Sequence, residues 1–187
     1  MTQFEYLAVL ISIILGLGIT QLLSGFGRWL EQRARLRPYA PSLAWAAFLL
    51  MVHVQTWWAM YGLREYEMWS FLQFAVLLLQ PVVLFLMTIL TFPGPGSRED
   101  LRANYFVQRR WFFGLMMTLL VVSVLKDVTR EGSLPSLENL AFHGLFMMLA
   151  LTGFVSAHER THRWLSYAAI VTGVVYIALL FGVLERA

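Results

Sequence analysis

Two histidines four residues apart, with a glutamate between them, form the clearest chemistry-bearing string in the chain: His158-Glu159-Arg160-Thr161-His162. On a helix, this spacing sets two imidazoles on one face, where both can reach one metal ion. Glu159 can then act as base toward a metal-bound water. His158 and His162 are therefore the candidate zinc ligands and Glu159 the candidate catalytic residue. No Gly or Pro interrupts the string, so it reads as a helical extension of the apolar run before it.

The string has the HExxH form found in zinc metallopeptidases and resembles them over these five positions alone. Arg160 puts a cation where such motifs usually carry an uncharged residue. A third ligand would have to come from Glu31, Glu99 or Asp100. The competing reading is a solvated polar turn whose charges mark a membrane surface. That is the reading adopted from the sequence, with neither zinc nor any other cofactor expected.

Further polar residues lie inside apolar runs. His53 falls near the middle of the second run, followed by Gln55 and Thr56, and His143 lies one turn after Asn139. Internal imidazoles can relay protons or ligate haem, but these two fall at different depths, which disfavours a shared haem. His53 is too far from either end to reach water, so it should face the protein and bond Gln73, Gln80, Ser12 or Thr20. Gln73 and Gln80 are seven residues apart and share a helix face, with Pro81 next to kink the helix. Only fifteen uncharged residues separate Arg110 from Lys126, about 22 Å at the helical rise. Lys126 and Asp127 are thereby drawn toward the hydrocarbon boundary, and costly intramembrane charges are functional candidates.

The first run carries Ser12, Gly16, Thr20 and Ser24 at intervals of four. Small residues let helices approach closely in lipid, so this stripe is expected to pack against protein, in the chain or across a subunit contact.

The elements that hold these residues are six apolar runs: Phe4–Gly27, Leu43–Leu63, Trp69–Phe92, Trp111–Leu125, Leu140–Ala157 and Trp164–Leu184. A helix needs about 20 apolar residues to cross a bilayer. Hydrophobic residues make up 59% of the sequence and charged residues 13%, against about 25% charged in soluble domains. The expected fold is all-α, a polytopic membrane protein of one domain with six spans, and a central cytoplasmic joint over residues 93–110. The second half of that joint reads as a short interfacial helix. The first run lacks a basic leader and a clear cleavage site, and reads as a retained helix rather than a signal peptide.

The net charge is +3, carried by thirteen Arg and one Lys gathered in the short joints. This is a topology signal and not a nucleic-acid surface. Joints 1, 3 and 5 hold ten of these cations, and the other joints and the termini hold four. The Arg-rich joints should therefore be cytoplasmic and both termini outside, in a membrane of the bacterial inner-membrane type. Trp29, Trp45, Trp69, Trp111 and Trp164 sit near run ends as belt residues, whereas Trp57 and Trp58 sit deeper. With no cysteine, disulfides and thiolate chemistry are excluded. Pro41–Phe48 and Pro135–Phe142 match at five of eight positions, which suggests a 3+3 inverted repeat.

These features point first to a small transporter or channel-type protein whose polar path uses Ser12, Thr20, His53, Gln73, Gln80, Asp127 and His143. The alternatives are an accessory subunit that docks a second copy or a membrane partner through the first helix, a zinc peptidase built on His158 and His162, and a haem protein using His53 and His143.

Overall fold

Six helices make up the computed structural model, which describes residues 3–32, 38–66, 68–94 and 100–181. They are α1 (Gln3–Glu31), α2 (Ala40–Ala59), α3 (Phe71–Thr91), α4 (Leu101–Glu131), α5 (Leu137–Val155) and α6 (Glu159–Leu180), and a 3-10 turn over Met60–Glu65 continues α2. No strand occurs among the described residues. Arg33, Arg35, Arg37, Arg98, Glu99 and Arg186, and the end of the sixth apolar run at Leu184, lie outside them.

All six helices are long and apolar enough to cross a membrane, and between 17% and 50% of each apolar stretch is buried inside the bundle. The remainder, including Leu72, Leu137, Val155 and Leu179, faces outward. Apolar surface costs about 25 cal/mol per Å² in contact with water. A hydrocarbon surround removes that cost, so the outward faces fit a bilayer.

Polar caps, not the ends of the apolar runs, set where the helices begin. Ser70 and Gln73 form a reciprocal capping box at α3: the Ser70 hydroxyl accepts the Gln73 N–H at 3.2 Å, and the Ser70 N–H donates to Gln73 Oε1 at 2.9 Å. Asp100 Oδ1 accepts the Ala103 N–H at 2.6 Å and starts α4. Ser136 caps α5. Gly132 ends α4 with φ of 68°, a left-handed conformation that favours glycine.

The fourth helix corrects the expectation most. It begins at Leu101, not Trp111, so the proposed interfacial helix is its first part. Leu101, Asn104 and Tyr105 are buried on one side of that part, and Asn104 donates to the Leu90 carbonyl at 3.2 Å. At 31 residues, α4 runs about 46 Å, longer than the hydrocarbon thickness. The second helix ends earlier than expected, at Ala59, which places Trp57 and Trp58 in its last turn, exposed at a helix end. Trp45 is not a belt residue. It is 1% exposed and meets Phe48, Phe112 and Phe113 edge to face, with ring centroids 5.3 to 5.4 Å apart.

The helices alternate in direction, so α1, α3 and α5 start at one end of the bundle and α2, α4 and α6 at the other. At the first end, the Trp69 N–H donates to Gln3 Oε1 at 3.2 Å. At the other, the Ser42 hydroxyl donates to the Thr91 carbonyl at 3.0 Å and Arg102 pairs with Glu159. We call these the Gln3 end and the Arg102 end. The two Pro-Ser-Leu segments open helices at opposite ends, but Pro41 lies inside the first turn of α2 whereas Pro135 precedes the Ser136 cap of α5. The halves also pack differently: α1 lies along α3, while α4 and α6 meet through side chains near the Arg102 end and stand apart elsewhere.

Candidate functional site: a polar vestibule in the bundle

Buried polar groups need partners in a low-dielectric surround, and where side chains of different helices supply those partners they mark a meeting point. Such a point lies at the Gln3 end. Gln80 of α3 is 9% exposed. Its Nε2 donates to Thr56 Oγ1 of α2 at 3.4 Å, and its Oε1 accepts from Lys126 Nζ of α4 at 3.2 Å. Asp127 Oδ1 lies 3.8 Å from Lys126 Nζ and 3.6 Å from Arg130 Nη2. Arg130 also pairs with Glu131 at the rim, and its guanidinium stands 5.5 Å over the Tyr66 ring.

These groups line a cavity of about 320 Å³ together with Asn139 of α5 and Tyr176 of α6. The Tyr176 hydroxyl donates to Asn139 Oδ1 at 3.2 Å. Pro81 and Leu77 also line it, and Pro81 has no N–H to give the Leu77 carbonyl. Met60, Gly62 and Leu63 of the 3-10 turn complete its lining. A second cavity, a chamber of about 80 Å³, adjoins it across Gln55, Gln80, Ser123 and Tyr176 and is bounded also by Met87, Met116, Phe146 and His143. Toward the Arg102 end, Trp45, Phe112, Phe113 and the His162 ring are packed together and close the bundle.

Of the residues expected to form a polar path, the cavity and chamber collect Gln80, Asp127 and His143. Gln73 lies nearby but clamps α3 to α4, its Nε2 donating to the Thr129 carbonyl at 3.1 Å. Ser12 and Thr20 do not line the space. His53 is elsewhere: it is wholly buried against Gly18 of α1, and its Nδ1 donates to its own helix at the Leu49 carbonyl, 2.7 Å away, not to Gln73, Gln80, Ser12 or Thr20. Its Nε2 has no partner. His143 donates to the Asn139 carbonyl at 2.8 Å. With His53 against α1 and His143 in the chamber, the two rings do not face a common space for a haem.

Within the chain, the small-residue stripe of α1 is not the packed face. The packed seam is Ile11, Leu15, Gly18, Leu22 and Gly25, spaced four and three in alternation as in coiled coils. In the stripe, Thr20 and Ser24 are exposed, and a Cβ on Gly16 would meet open space. Thr20 satisfies its hydroxyl on the Gly16 carbonyl at 2.8 Å.

The His158–His162 string is not an extension of α5. That helix stops at Val155, and His158 is the N-cap of α6. His158 is exposed and His162 fully buried, so they do not share a free face. His162 Nε2 must carry its proton, because its partner at 2.9 Å is the Ser156 carbonyl. Nδ1 then accepts from the Tyr105 hydroxyl at 2.8 Å. Glu159 takes Arg102 at 3.1 Å and Arg163 at 3.5 Å. The string therefore locks α4 to the α5–α6 turn. Among the described residues, no three His, Asp or Glu side chains gather as a metal site.

Thr56, Arg130, Asn139 and Tyr176 were not expected at a site. Spacing points to two of them: Arg130 follows Lys126 by four residues and His143 follows Asn139 by four, so each pair shares a helix face. Comparison with protein-family models, curated proteins and solved structures finds no match for this chain.

Proposed function

We propose that the protein is a small transporter-type membrane protein that binds a solute in the Lys126–Gln80 vestibule and passes it across the bundle. The observation that carries this reading is Lys126 itself. An ammonium held between α4 and α3, beside a cavity of about 320 Å³, is a costly arrangement for packing alone, and intramembrane charges of this kind mark substrate paths. The volume falls at the small end of the range for ligand pockets. The aromatic cluster around Trp45 supplies the closed side that a carrier requires. On the charge rule the Arg102 end faces the cytoplasm of a bacterial inner-membrane-type bilayer, and the vestibule opens outward. Uptake of a panel of labelled small organic solutes into proteoliposomes tests the reading. Wild type should exceed empty liposomes for at least one solute, and Lys126→Met should abolish that excess. Wild type indistinguishable from empty liposomes across the panel would overturn it.

A second reading has its own support. The outward Ser12–Ser24 stripe of α1 leaves small surface for another helix, as in an accessory subunit that docks a copy of itself or a membrane partner. Thr20→Cys should then form a disulfide-linked dimer or a crosslinked partner in membranes. An uncrosslinked monomer would assign the stripe to lipid.

A further inference from the structure

The vestibule and the chamber beneath it differ in chemistry, and that difference defines a ligand. Lys126 is the least compensated cation of the site. Its ammonium has three N–H donors, and its partners are the neutral Gln80 oxygen at 3.2 Å and Asp127 Oδ1 at 3.8 Å. That carboxylate oxygen also faces Arg130 at 3.6 Å, and Arg130 has Glu131 besides. Lys126 therefore retains N–H donors for one more acceptor on the cavity side. Asn139 and Tyr176 stand on the same lining.

Immediately below, the chemistry reverses. Gln55, Gln80, Ser123 and Tyr176 line both spaces, so the chamber adjoins the vestibule. Its walls are Met87, Met116, Leu119 and Phe146, and methionines accommodate apolar guests of varied shape. Gly173 leaves the space that Met51 and Phe48 fill beside it.

We infer that the solute is a small organic monoanion with a short apolar chain, its carboxylate-type head on Lys126 and its chain in the chamber below Gln80. This rests on reading the vestibule as a solute site. A neutral apolar guest would remove water from Lys126 without replacing it. A cationic guest would meet Lys126 and Arg130, with Asp127 already shared between them and Glu131 taken by Arg130.

Calorimetric titration of the protein in nanodiscs, with empty nanodiscs subtracted, tests this. The probes are straight-chain carboxylates from acetate to octanoate, with the matching primary alcohols and amines, and palmitate as the long-chain limit. Affinity for the carboxylates should rise roughly three- to fourfold per methylene, then level off once the chamber is filled. Carboxylates should exceed alcohols of equal length by about ten- to a hundredfold. Lys126→Met should bring carboxylates down to the alcohol level, and Lys126→Arg should keep the preference. Gly173→Leu should flatten the chain-length dependence while acetate binding persists. If Lys126→Met does not fold, the wild-type ranking of the three head groups decides. Equal or better binding of alcohols or amines, no dependence on chain length, or no binding at all would overturn the inference. Affinity that keeps climbing to palmitate would assign the site to a bilayer fatty acid instead. Binding without uptake would leave the inference standing and remove transport. Uptake without chain-length dependence would do the reverse.

Discussion

Lys126 Nζ donates to Gln80 Oε1 at 3.2 Å, joining α4 to α3 at the wall that the polar vestibule shares with the apolar chamber. Each residue gains a partner that its own helix does not provide, and Gln80 passes the link on to Thr56 of α2. Gln80→Leu should therefore cost more than a surface change. It leaves the ammonium short of an acceptor, and we expect a loss of about 1–3 kcal/mol, read as a lower unfolding midpoint in detergent. A midpoint equal to wild type would show that Lys126 is satisfied without Gln80.

Gly18 and His53 make a second close relationship. A Cβ at Gly18 would overlap the imidazole, which the Leu49 carbonyl holds in place. Gly18→Ala should destabilise the protein by about 1–3 kcal/mol, and adding His53→Ala should recover part of that loss. Gly16→Leu, two residues away but facing open space, should fall within about 0.5 kcal/mol of wild type. Equal effects at the two glycines would reject the assignment of the packed face.

Tyr105 and His162 test the reading of the HExxH string. Tyr105→Phe leaves buried Nδ1 of His162 without a donor and should cost about 1–3 kcal/mol. His158→Ala should be close to neutral in stability. Metal analysis should detect no zinc that both His158→Ala and His162→Ala remove. Stoichiometric zinc lost in both variants would return the string to catalysis and make Glu159 the next residue to mutate.

The number of helices and their apolar character were readable from run lengths alone, because a bilayer fixes how many consecutive apolar residues a helix requires. The helix starts were less readable. Asp100 caps a helix whose first turns are polar on one side, so α4 began ten residues before its apolar run. Lys126 and Asp127 drew notice because the uncharged run before them is short. Asn139, Tyr176 and Arg130 did not, since their meeting depends on which helices become neighbours. The polar residues of α1 and α2 misled for one physical reason. Thr20 and His53 each bond the carbonyl four residues back in their own helix, so neither needs another helix to satisfy it. A hydroxyl can then face outward, and an imidazole can be buried as packing. The packed seam of α1 followed the coiled-coil spacing of Ile11, Leu15, Gly18, Leu22 and Gly25 instead of the every-fourth-residue stripe.

The orientation has a separate test. A reporter fused on the C-terminal side of α6 should behave as periplasmic in a bacterial host, with the Arg102 end inside. Cytoplasmic activity there would reverse the direction of the vestibule without altering its geometry.

A carrier must open the space below Lys126 to each face of the membrane in turn. The chain has no cysteine, so Ser123→Cys, between vestibule and chamber, can be labelled on a clean background with a membrane-impermeant maleimide in oriented vesicles. The account predicts labelling from the Gln3 face, slower labelling from the Arg102 face, and protection on both faces by a bound solute. Labelling from the Gln3 face alone, or from neither face with reaction only to a lipid-soluble reagent, would contradict it.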